Sequence, residues 1–183
     1  MKYSLEWLKN EIKEGKNFDY IYFWGHKRPA DNVVTKTYFS QWFPIAFSEN
    51  DVHYKTAEHY MMAKKATLFG DTEILAQILA TETPDVAKKL GRKVRNFDAN
   101  LWEENAFAYV TQGNFLKFSQ HEKLKEFLIS TGSSVIVEAS PNDKIWGIGL
   151  SENATESCNP DTWKGTNLLG FAIMEARDLI LKM

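Results

Sequence analysis

The chain has 183 residues, a formal net charge of −2 and an aromatic content of 14%. A domain of this length buries about 70% of its unfolded surface, and the lack of a basic excess argues against stable nucleic-acid binding and against binding to an anionic membrane. The single cysteine, Cys158, excludes an internal disulfide and is typical of a reducing compartment. The sequence shows neither an apolar run of about 18 residues nor a secretory leader. We therefore predict a single domain over residues 1–183, located in the cytoplasm and not in a membrane.

The first third of the chain combines one helix with short extended segments. Leu5, Leu8 and Ile12 follow helical spacing and predict a helix over residues 3–14 that ends near Gly15. The following segments are predicted as a strand over 21–24, a loop over 25–33, short extended pieces over 38–47 and a strand over 52–54.

The most informative stretch is the helix predicted over residues 56–69. Thr56 is its predicted N-cap residue, and the Thr56 hydroxyl can accept hydrogen bonds from the free N–H groups of the first turn. Glu58 and Lys65 are separated by two turns, so they fall within about 20° of one face with about 10 Å of helix rise between them. An acid and an amine at this separation can hold a ribose-sized ligand. On spacing alone, two solvated charges on an exposed face is the commoner interpretation.

The remainder of the chain is mainly helical. Gly113 interrupts the longest predicted helix at a cost of about 1 kcal/mol relative to alanine, which indicates a kink or a close approach by another element. The predicted elements are helices over 72–81, 84–90, 98–119, 122–130 and 166–181, a strand over 134–138 and a polar loop over 152–161. Without βαβ alternation, this pattern favours a mainly α-helical α+β fold with a few short strands, not a doubly wound sheet.

Several classes of site lack their motifs. The four histidines, His26, His53, His59 and His121, show no zinc-binding spacing, and we predict no metal and no cofactor. Neither a P-loop nor a dinucleotide-binding fingerprint is present, so a phosphate would need basic side chains or helix N-termini. The basic groups available are Arg92, Lys93 and Arg95, or Lys27 and Arg28 in the early loop.

A set of short motifs occurs in a fixed order over roughly residues 20–180. The pieces are Phe39-Ser40-Gln41-Trp42-Phe43-Pro44, Glu58-His59-Tyr60 with Ala63 and Lys65, Leu90-Gly91-Arg92, Val137-Glu138, Asp143 to Gly149, and Trp163 to Gly170. In this order they resemble the NADAR (YbiA-like) family. The chain departs from the common family pattern at three positions. Gln41 occurs where other members often carry asparagine, and Met62 and Lys64 occur where they often carry glutamine.

The resemblance implies an enzyme or binding module for ribose-linked nucleotides. Its bacterial members imply an N-glycosidase of phosphoribosylaminopyrimidine intermediates of riboflavin synthesis, which is our first expectation. A hydrolase that removes ADP-ribose from guanine in nucleic acid is the first alternative, and a non-catalytic ADP-ribose or NAD-binding module is the second. The expected partner is accordingly a small ribose-linked nucleotide or an ADP-ribosylated guanine.

The resemblance also selects candidate site residues. Cleavage of a glycosidic C–N bond develops positive charge on the sugar, which carboxylates stabilise. Lys65 can donate to the leaving base or attack C1′ to form a Schiff base. The catalytic candidates are Glu58, Lys65, Glu138 and Asp143. The substrate-binding candidates are Ser40, Trp42, Tyr60, Arg92, Trp146, Gly147 and Asn167.

For some of these residues a structural interpretation stays open. Glu138 and Asp143 equally fit a solvated strand edge followed by an Asx-type turn. Asn167, at the start of the last helix, either caps that helix or binds a ribose hydroxyl. Trp146, with Trp42 and Trp24 upstream, can supply a flat wall for a heterocyclic base, although core packing is the favoured interpretation for Trp24 and for Trp102.

Overall fold

The fold is taken from a computed structural model, which describes residues 1–30 and 33–183. The described residues form four short strands, β1 (Tyr20–Phe23), β2 (Phe47–Glu49), β3 (Val52–Tyr54) and β4 (Val135–Glu138). Their seven α-helices are α1 (Leu5–Lys13), α2 (Ala57–Leu68), α3 (Thr72–Ala80), α4 (Pro84–Gly91), α5 (Ala99–Ser119), α6 (Glu122–Ser130) and α7 (Leu168–Ile180). The prediction of a mainly helical α+β fold is confirmed. Two positions of the predicted loop over 25–33, residues 31 and 32, lie outside the described residues.

Helix starts are fixed by side-chain caps at the predicted positions. Thr56 Oγ1 accepts the backbone N–H of His59 at 3.3 Å, and the Asp98 carboxylate accepts that of Leu101 at 3.1 Å. Each cap satisfies a backbone donor that the helix itself leaves unpaired. These local signals explain why the helix boundaries agree with the sequence pattern to within about two residues.

Two segments differ from the prediction. Residues Lys36–Phe39 form a 3-10 turn instead of an extended piece. An extended chain would point Tyr38 and Phe39 to opposite faces, whereas the turn buries both side chains in the core. The predicted polar loop over 152–161 contains two further 3-10 turns, Thr155–Cys158 and Pro160–Thr162. The Ser157 hydroxyl stabilises the first of these by donating to the Ala154 carbonyl at 2.7 Å.

The strands pair in two separate two-stranded sheets. β2 and β3 are antiparallel and are joined by Asn50 and Asp51, both with positive φ, as a tight hairpin turn requires. β1 and β4 are parallel, with Phe23 opposite Glu138, although helices α2 to α6 lie between them in the chain. This pairing was not predicted, because nothing in either strand specifies a partner so far away in sequence.

Helix α2 lies at the centre of the molecule. It packs against α3, α4 and α5, and most of its residues are buried. The close approach indicated by Gly113 is to this helix, since a Cβ at position 113 would lie 2.7 Å from Tyr60 Cδ1. The interpretation of α2 as carrying an exposed charged face is wrong, because Glu58 is only 5% exposed.

Among the described residues, no helix has the length and apolar character needed to cross a membrane.

Candidate active site

A cavity of about 290 Å³ opens beside α2. All four catalytic candidates line it, together with four of the seven substrate-binding candidates: Glu58, Lys65, Glu138, Asp143, Ser40, Trp42, Arg92 and Trp146. The remaining wall consists of Gln41, Met61, Met62, Lys88, Gly91, Trp102, Ile145 and Leu169. The fold therefore brings together residues from six separate stretches of the chain.

The segment Ser40–Trp42 forms one wall and is fixed from behind by α5. Lys117 Nζ donates to the Ser40 carbonyl at 3.1 Å, and Asn114 Nδ2 donates to Gln41 Oε1 at 3.0 Å. The Gln41 carbonyl in turn accepts the backbone N–H of Glu58 at 3.0 Å. The wall segment thus binds the first turn of α2 and sets the position of Glu58.

Glu58 is buried in the cavity wall without an ion-pair partner among the described residues. Burial raises the pKa of Glu58 to about 7, although the nearby charge of Lys88 and a hydrogen bond from Trp42 act in the opposite direction. Near neutral pH this side chain therefore exchanges readily between the acid and the carboxylate. That property suits a group that gives or takes a proton.

Glu138 is the last residue of β4, and one oxygen of its carboxyl group is shielded from water. Its Oε2 is buried and makes no hydrogen bond with the described residues. Burial, followed by the negative charge of Asp143, raises the pKa of Glu138 to about 8. At neutral pH the group is mainly the neutral acid, and a buried polar oxygen without a partner fits a group that a ligand completes.

Asp143 follows β4, and the predicted Asx-type turn at this residue is confirmed. Its Oδ1 accepts the backbone N–H groups of Ile145 at 2.9 Å and Trp146 at 2.8 Å, which is the Asx-type turn. The same residue lines the cavity. The turn fixes one oxygen and so orients the carboxylate toward the cavity.

Lys65 and Arg92 lie at another part of the cavity wall. Neither forms an ion pair with a carboxylate of the described residues. Lys65 Nζ lies 4.0 Å from the ring centre of Phe97 and 5.5 Å from that of Trp102. Burial, and then the charge of Arg92, lower the pKa of Lys65. Two neighbouring cations without counter-charges suit an anionic ligand group such as a phosphate.

Three predicted substrate-binding residues do not line the cavity. Tyr60 lies two positions after Glu58, which on a helix turns its side chain to a different face, and its hydroxyl donates to Glu49 at 3.2 Å. Gly147 packs under β4, where a Cβ would lie 2.8 Å from the Glu138 carbonyl oxygen. The third residue is Asn167.

Asn167 neither caps α7 nor reaches the cavity. Its φ of 56° places it in the left-handed region, and its side chain makes no cap hydrogen bond. The side chain instead bridges β4, with Nδ2 donating to the Ile136 carbonyl and Oδ1 accepting the Glu138 N–H, both at 2.9 Å. Its role is to hold the backbone that carries Glu138.

Other site residues were missed by the sequence analysis. Lys88 enters the cavity only because α4 packs on α2, a contact that no local pattern reveals. Trp102 packs against the hydrophobic core, as predicted, and also lines the cavity. Trp24 is 59% exposed, so the core interpretation is wrong for Trp24. The only signal in the sequence that these two tryptophans belong to a site is a large aromatic side chain among polar residues.

No three histidine, cysteine, aspartate or glutamate side chains of the described residues come close enough to hold a metal ion. The carboxyl groups of Glu58, Glu138 and Asp143 share a cavity without converging on one point.

Comparison with known proteins establishes the class. N-glycosidase R617 of Acanthamoeba polyphaga mimivirus is 43% identical over 164 residues, covering 87% of this chain and 95% of the viral protein. N-glycosidase YbiA of Escherichia coli (strain K12) is 31% identical over 123 residues, covering 67% of this chain and 68% of the bacterial protein. The protein is a hydrolase of the N-glycosidase class, as predicted.

The particular family follows from the match over nearly the whole chain. The NADAR domain family matches residues 22–181, and the chain belongs to this family. The NMR structure of the E. coli protein YbiA has the same fold, with a TM-score of 0.69 at 24% identity over 91% of this chain and 88% of that one.

Proposed function

We propose that the protein hydrolyses the N-glycosidic bond between a ribose phosphate and a base, with a phosphoribosylaminopyrimidine as substrate. The observation that carries this proposal is one cavity that joins the carboxyl groups of Glu58 and Glu138 with three cations, Lys65, Lys88 and Arg92, that form no ion pair among the described residues. The relatives named N-glycosidase support the reaction type. The cations support a phosphorylated sugar, since Arg92 and Lys65 are the groups best suited to bind a phosphate.

The two raised pKa values divide the proton chemistry between the two glutamates. Glu138, with a pKa of about 8, is the proton donor to the nitrogen of the leaving base. Glu58, with a pKa of about 7, is the acceptor of a proton from the attacking water. Asp143 faces the sugar and stabilises the positive charge that develops at C1′.

The bond between C1′ and the base nitrogen breaks, and its electron pair leaves with the base, which receives the proton of Glu138. The oxygen of one water molecule forms a bond to C1′ while Glu58 receives a proton of that water. The products are the free base and ribose phosphate, and proton exchange with solvent restores both glutamates.

This division predicts a bell-shaped pH profile. Activity requires ionised Glu58 and protonated Glu138, so kcat/KM is expected to peak between pH 7 and 8, bounded by the pKa values of about 7 and about 8. On either side it should fall by about tenfold per pH unit. A profile that rises steadily from pH 5 to 9 would contradict the assignment.

The decisive experiment compares two substrates. Purified protein is incubated with 5-amino-6-(5-phosphoribosylamino)uracil and, separately, with an oligonucleotide carrying ADP-ribosylated guanine, and the released base or ADP-ribose is quantified. Glu58→Gln is the matched control, because it keeps the shape of the side chain and removes its charge. Release from the first substrate by the wild type alone supports the proposal. Tight binding of ADP-ribose without release from either substrate would favour a binding module instead.

ADP-ribosyl-guanine hydrolysis is the second candidate, and one observation favours it. The cavity of about 290 Å³ and the adjoining surface groove of about 380 Å³ can together accept a ligand larger than a ribose phosphate with a small base. Release of ADP-ribose from the oligonucleotide at the higher kcat/KM would give this candidate precedence.

Lys65 has two possible roles that one reagent separates. Beside Arg92 it suits a phosphate, whereas its lowered pKa also suits attack on C1′ as a neutral amine. Borohydride added during turnover traps a Schiff base as a stable adduct, which mass spectrometry locates. A Lys65→Ala variant with unchanged turnover would exclude both roles.

A further inference from the structure

The surface groove that adjoins the cavity has a volume of about 380 Å³ and lies on the side of β1. The groove has walls of its own, formed by Trp24, Gly25, His26, Ser140 and Asn142. It shares five wall residues with the cavity: Ser40, Trp42, Lys88, Glu138 and Asp143. Two of the three carboxyl residues of the proposed mechanism therefore stand at the boundary between the two spaces.

The groove presents aromatic surfaces. Trp24 is 59% exposed, although a tryptophan ring is mainly apolar. The rings of His26 and Trp42 lie 5.6 Å apart, centre to centre, at an angle of 49°. Flat side chains of this kind bind the face of a heteroaromatic ring by stacking.

The position of Trp24 follows from strand pairing. Phe23 is paired with Glu138 at the ends of parallel strands β1 and β4, and the Ala139 N–H donates to the Phe23 carbonyl at 2.9 Å. Trp24 is the next residue after that pair. The sheet thus places an exposed indole at the same edge as the proposed proton donor.

The charges divide the two spaces. Lys65, Lys88 and Arg92 form no ion pair among the described residues. Lys65 and Arg92 line only the cavity, whereas Lys88 lines both spaces and is the one cationic residue among the described walls of the groove. Glu58 also lines only the cavity. An anionic sugar phosphate is therefore favoured in the cavity and an uncharged aromatic ring in the groove.

We infer that this groove is the subsite for the leaving base, in which Trp24, His26 and Trp42 hold the ring while the ribose phosphate occupies the cavity. The inference rests on the proposed function, because it places the scissile bond at the boundary marked by Glu138 and Asp143. The base then leaves through the groove, on the side opposite Glu58 and its water. Asn142 and Ser140 supply polar groups for the edge of the ring.

The test uses the two products, so that binding is measured without turnover. Ribose 5-phosphate and 5,6-diaminouracil are titrated separately into wild type, Trp24→Ala and Arg92→Met by calorimetry. Trp24→Ala is expected to weaken diaminouracil binding by about tenfold or more and to leave ribose 5-phosphate binding unchanged. Arg92→Met should produce the reverse pattern. Trp24→Phe should recover most of the loss, because the ring face is retained.

Leu181→Ala is the matched control, since Leu181 is also 59% exposed but lies beyond the end of α7. It should bind both products as the wild type does. Loss of ribose 5-phosphate binding in Trp24→Ala, or unchanged binding of both products, would overturn the inference.

The failure of the inference is distinguishable from that of the proposed function. If the wild type releases base from the aminopyrimidine substrate and Trp24→Ala keeps the same kcat/KM, the subsite assignment is wrong while the function stands. If both products bind in the predicted pattern but no substrate is cleaved, the function is wrong while the two-compartment site stands.

Discussion

Two glutamates, Glu58 on helix α2 and Glu49 on the neighbouring strand β2, have opposite environments. Glu49 accepts hydrogen bonds from the Tyr60 hydroxyl at 3.2 Å and the Gln112 amide at 3.3 Å, and it forms an ion pair with Lys64. Glu58 is almost completely buried and has no ion-pair partner among the described residues. Tyr60 and Lys64 on α2 thus compensate the charge of Glu49, whereas the charge of Glu58 is left for a ligand to compensate.

The pKa values of the two groups reflect this difference. Burial alone would raise the pKa of Glu49, but the hydrogen bond and charge of Lys64 lower it overall. Burial raises the pKa of Glu58 to about 7 because its surroundings compensate it only partly. A carboxylate that the protein neutralises itself contributes to stability, whereas an uncompensated one is a candidate for chemistry.

The largest expected effect is the loss of activity in Glu58→Gln. Removing a group that transfers a proton should lower kcat by about 10²- to 10⁴-fold. Initial rates of base release at pH 7.5 measure it. Glu49→Gln serves as the comparison and should keep kcat close to the wild-type value. Equal losses in the two variants would show that both act through the fold.

The dependence of stability on pH should also separate the two groups. Glu58 binds a proton more tightly in the folded state than in the unfolded chain, where its pKa is near 4.5. Its contribution is therefore fully present below pH 4.5 and is lost as the pH rises through about 7. The full loss is on the order of 3 kcal/mol. Glu49 contributes in the opposite sense, since its stabilisation is lost as the pH falls through its lowered pKa.

Urea unfolding between pH 4.5 and 8 tests this linkage. Glu58→Gln should reduce the decline in the free energy of unfolding above pH 4.5 and leave the part that Glu138 causes through its own raised pKa. Glu49→Gln should leave the whole decline in place. A wild-type protein whose stability increases steadily over this range would contradict the raised pKa of Glu58.

A smaller effect is expected from Glu49→Gln on stability at neutral pH. The substitution removes an ion pair and weakens two hydrogen bonds, at an expected cost of about 1–3 kcal/mol. Thermal unfolding measures this change, and kcat per folded molecule should stay constant. The double variant Glu49→Gln with Lys64→Met should be less than additive, because the two side chains interact directly.

The part of the site that was predicted depends on local geometry. Glu58 and Lys65 share a cavity because helical periodicity alone places them on related faces. The cap at Thr56 and the turn at Asp143 are equally local. The mistakes concern direction and distance: Tyr60 points to Glu49, and Asn167 holds β4 because a residue in the left-handed region turns its side chain away from the helix start.

Other features depend on tertiary packing. The parallel pairing of β1 with β4 brings Trp24 next to Glu138, and the packing of α4 on α2 brings in Lys88. Neither strand nor helix carries a local signal for its partner. Sequence periodicity therefore predicted the elements and one face of the site, and the fold was needed to assemble the remainder.

The smallest expected effect concerns the contact between α5 and Tyr60. In Gly113→Ala, the added methyl group would lie 2.7 Å from Tyr60 Cδ1. Overpacking of this kind costs about 1–3 kcal/mol, while the gain in helix propensity is about 1 kcal/mol. We expect a net loss of about 1 kcal/mol in the free energy of unfolding, measured by urea titration.

Gly132→Ala is not a suitable reference for that experiment, because Gly132 has a φ of 55°. Ala106→Ser, in the same helix, tests a small change without that backbone strain. A Gly113→Ala protein that is more stable than the wild type would show that Tyr60 moves aside, and the bond from its hydroxyl to Glu49 should then be weakened.

The pairing of β1 with β4 has a consequence for biosynthesis. Val135, at the start of β4, can meet its partner Tyr20 only after the ribosome has added the five intervening helices. Until β1 and β4 pair, Glu58 has neither the second acid, Glu138, nor the indole of Trp24 in place at the sheet edge. Contacts of such long sequence separation form slowly, so competence for catalysis arises late, after most of the helical scaffold is already in place.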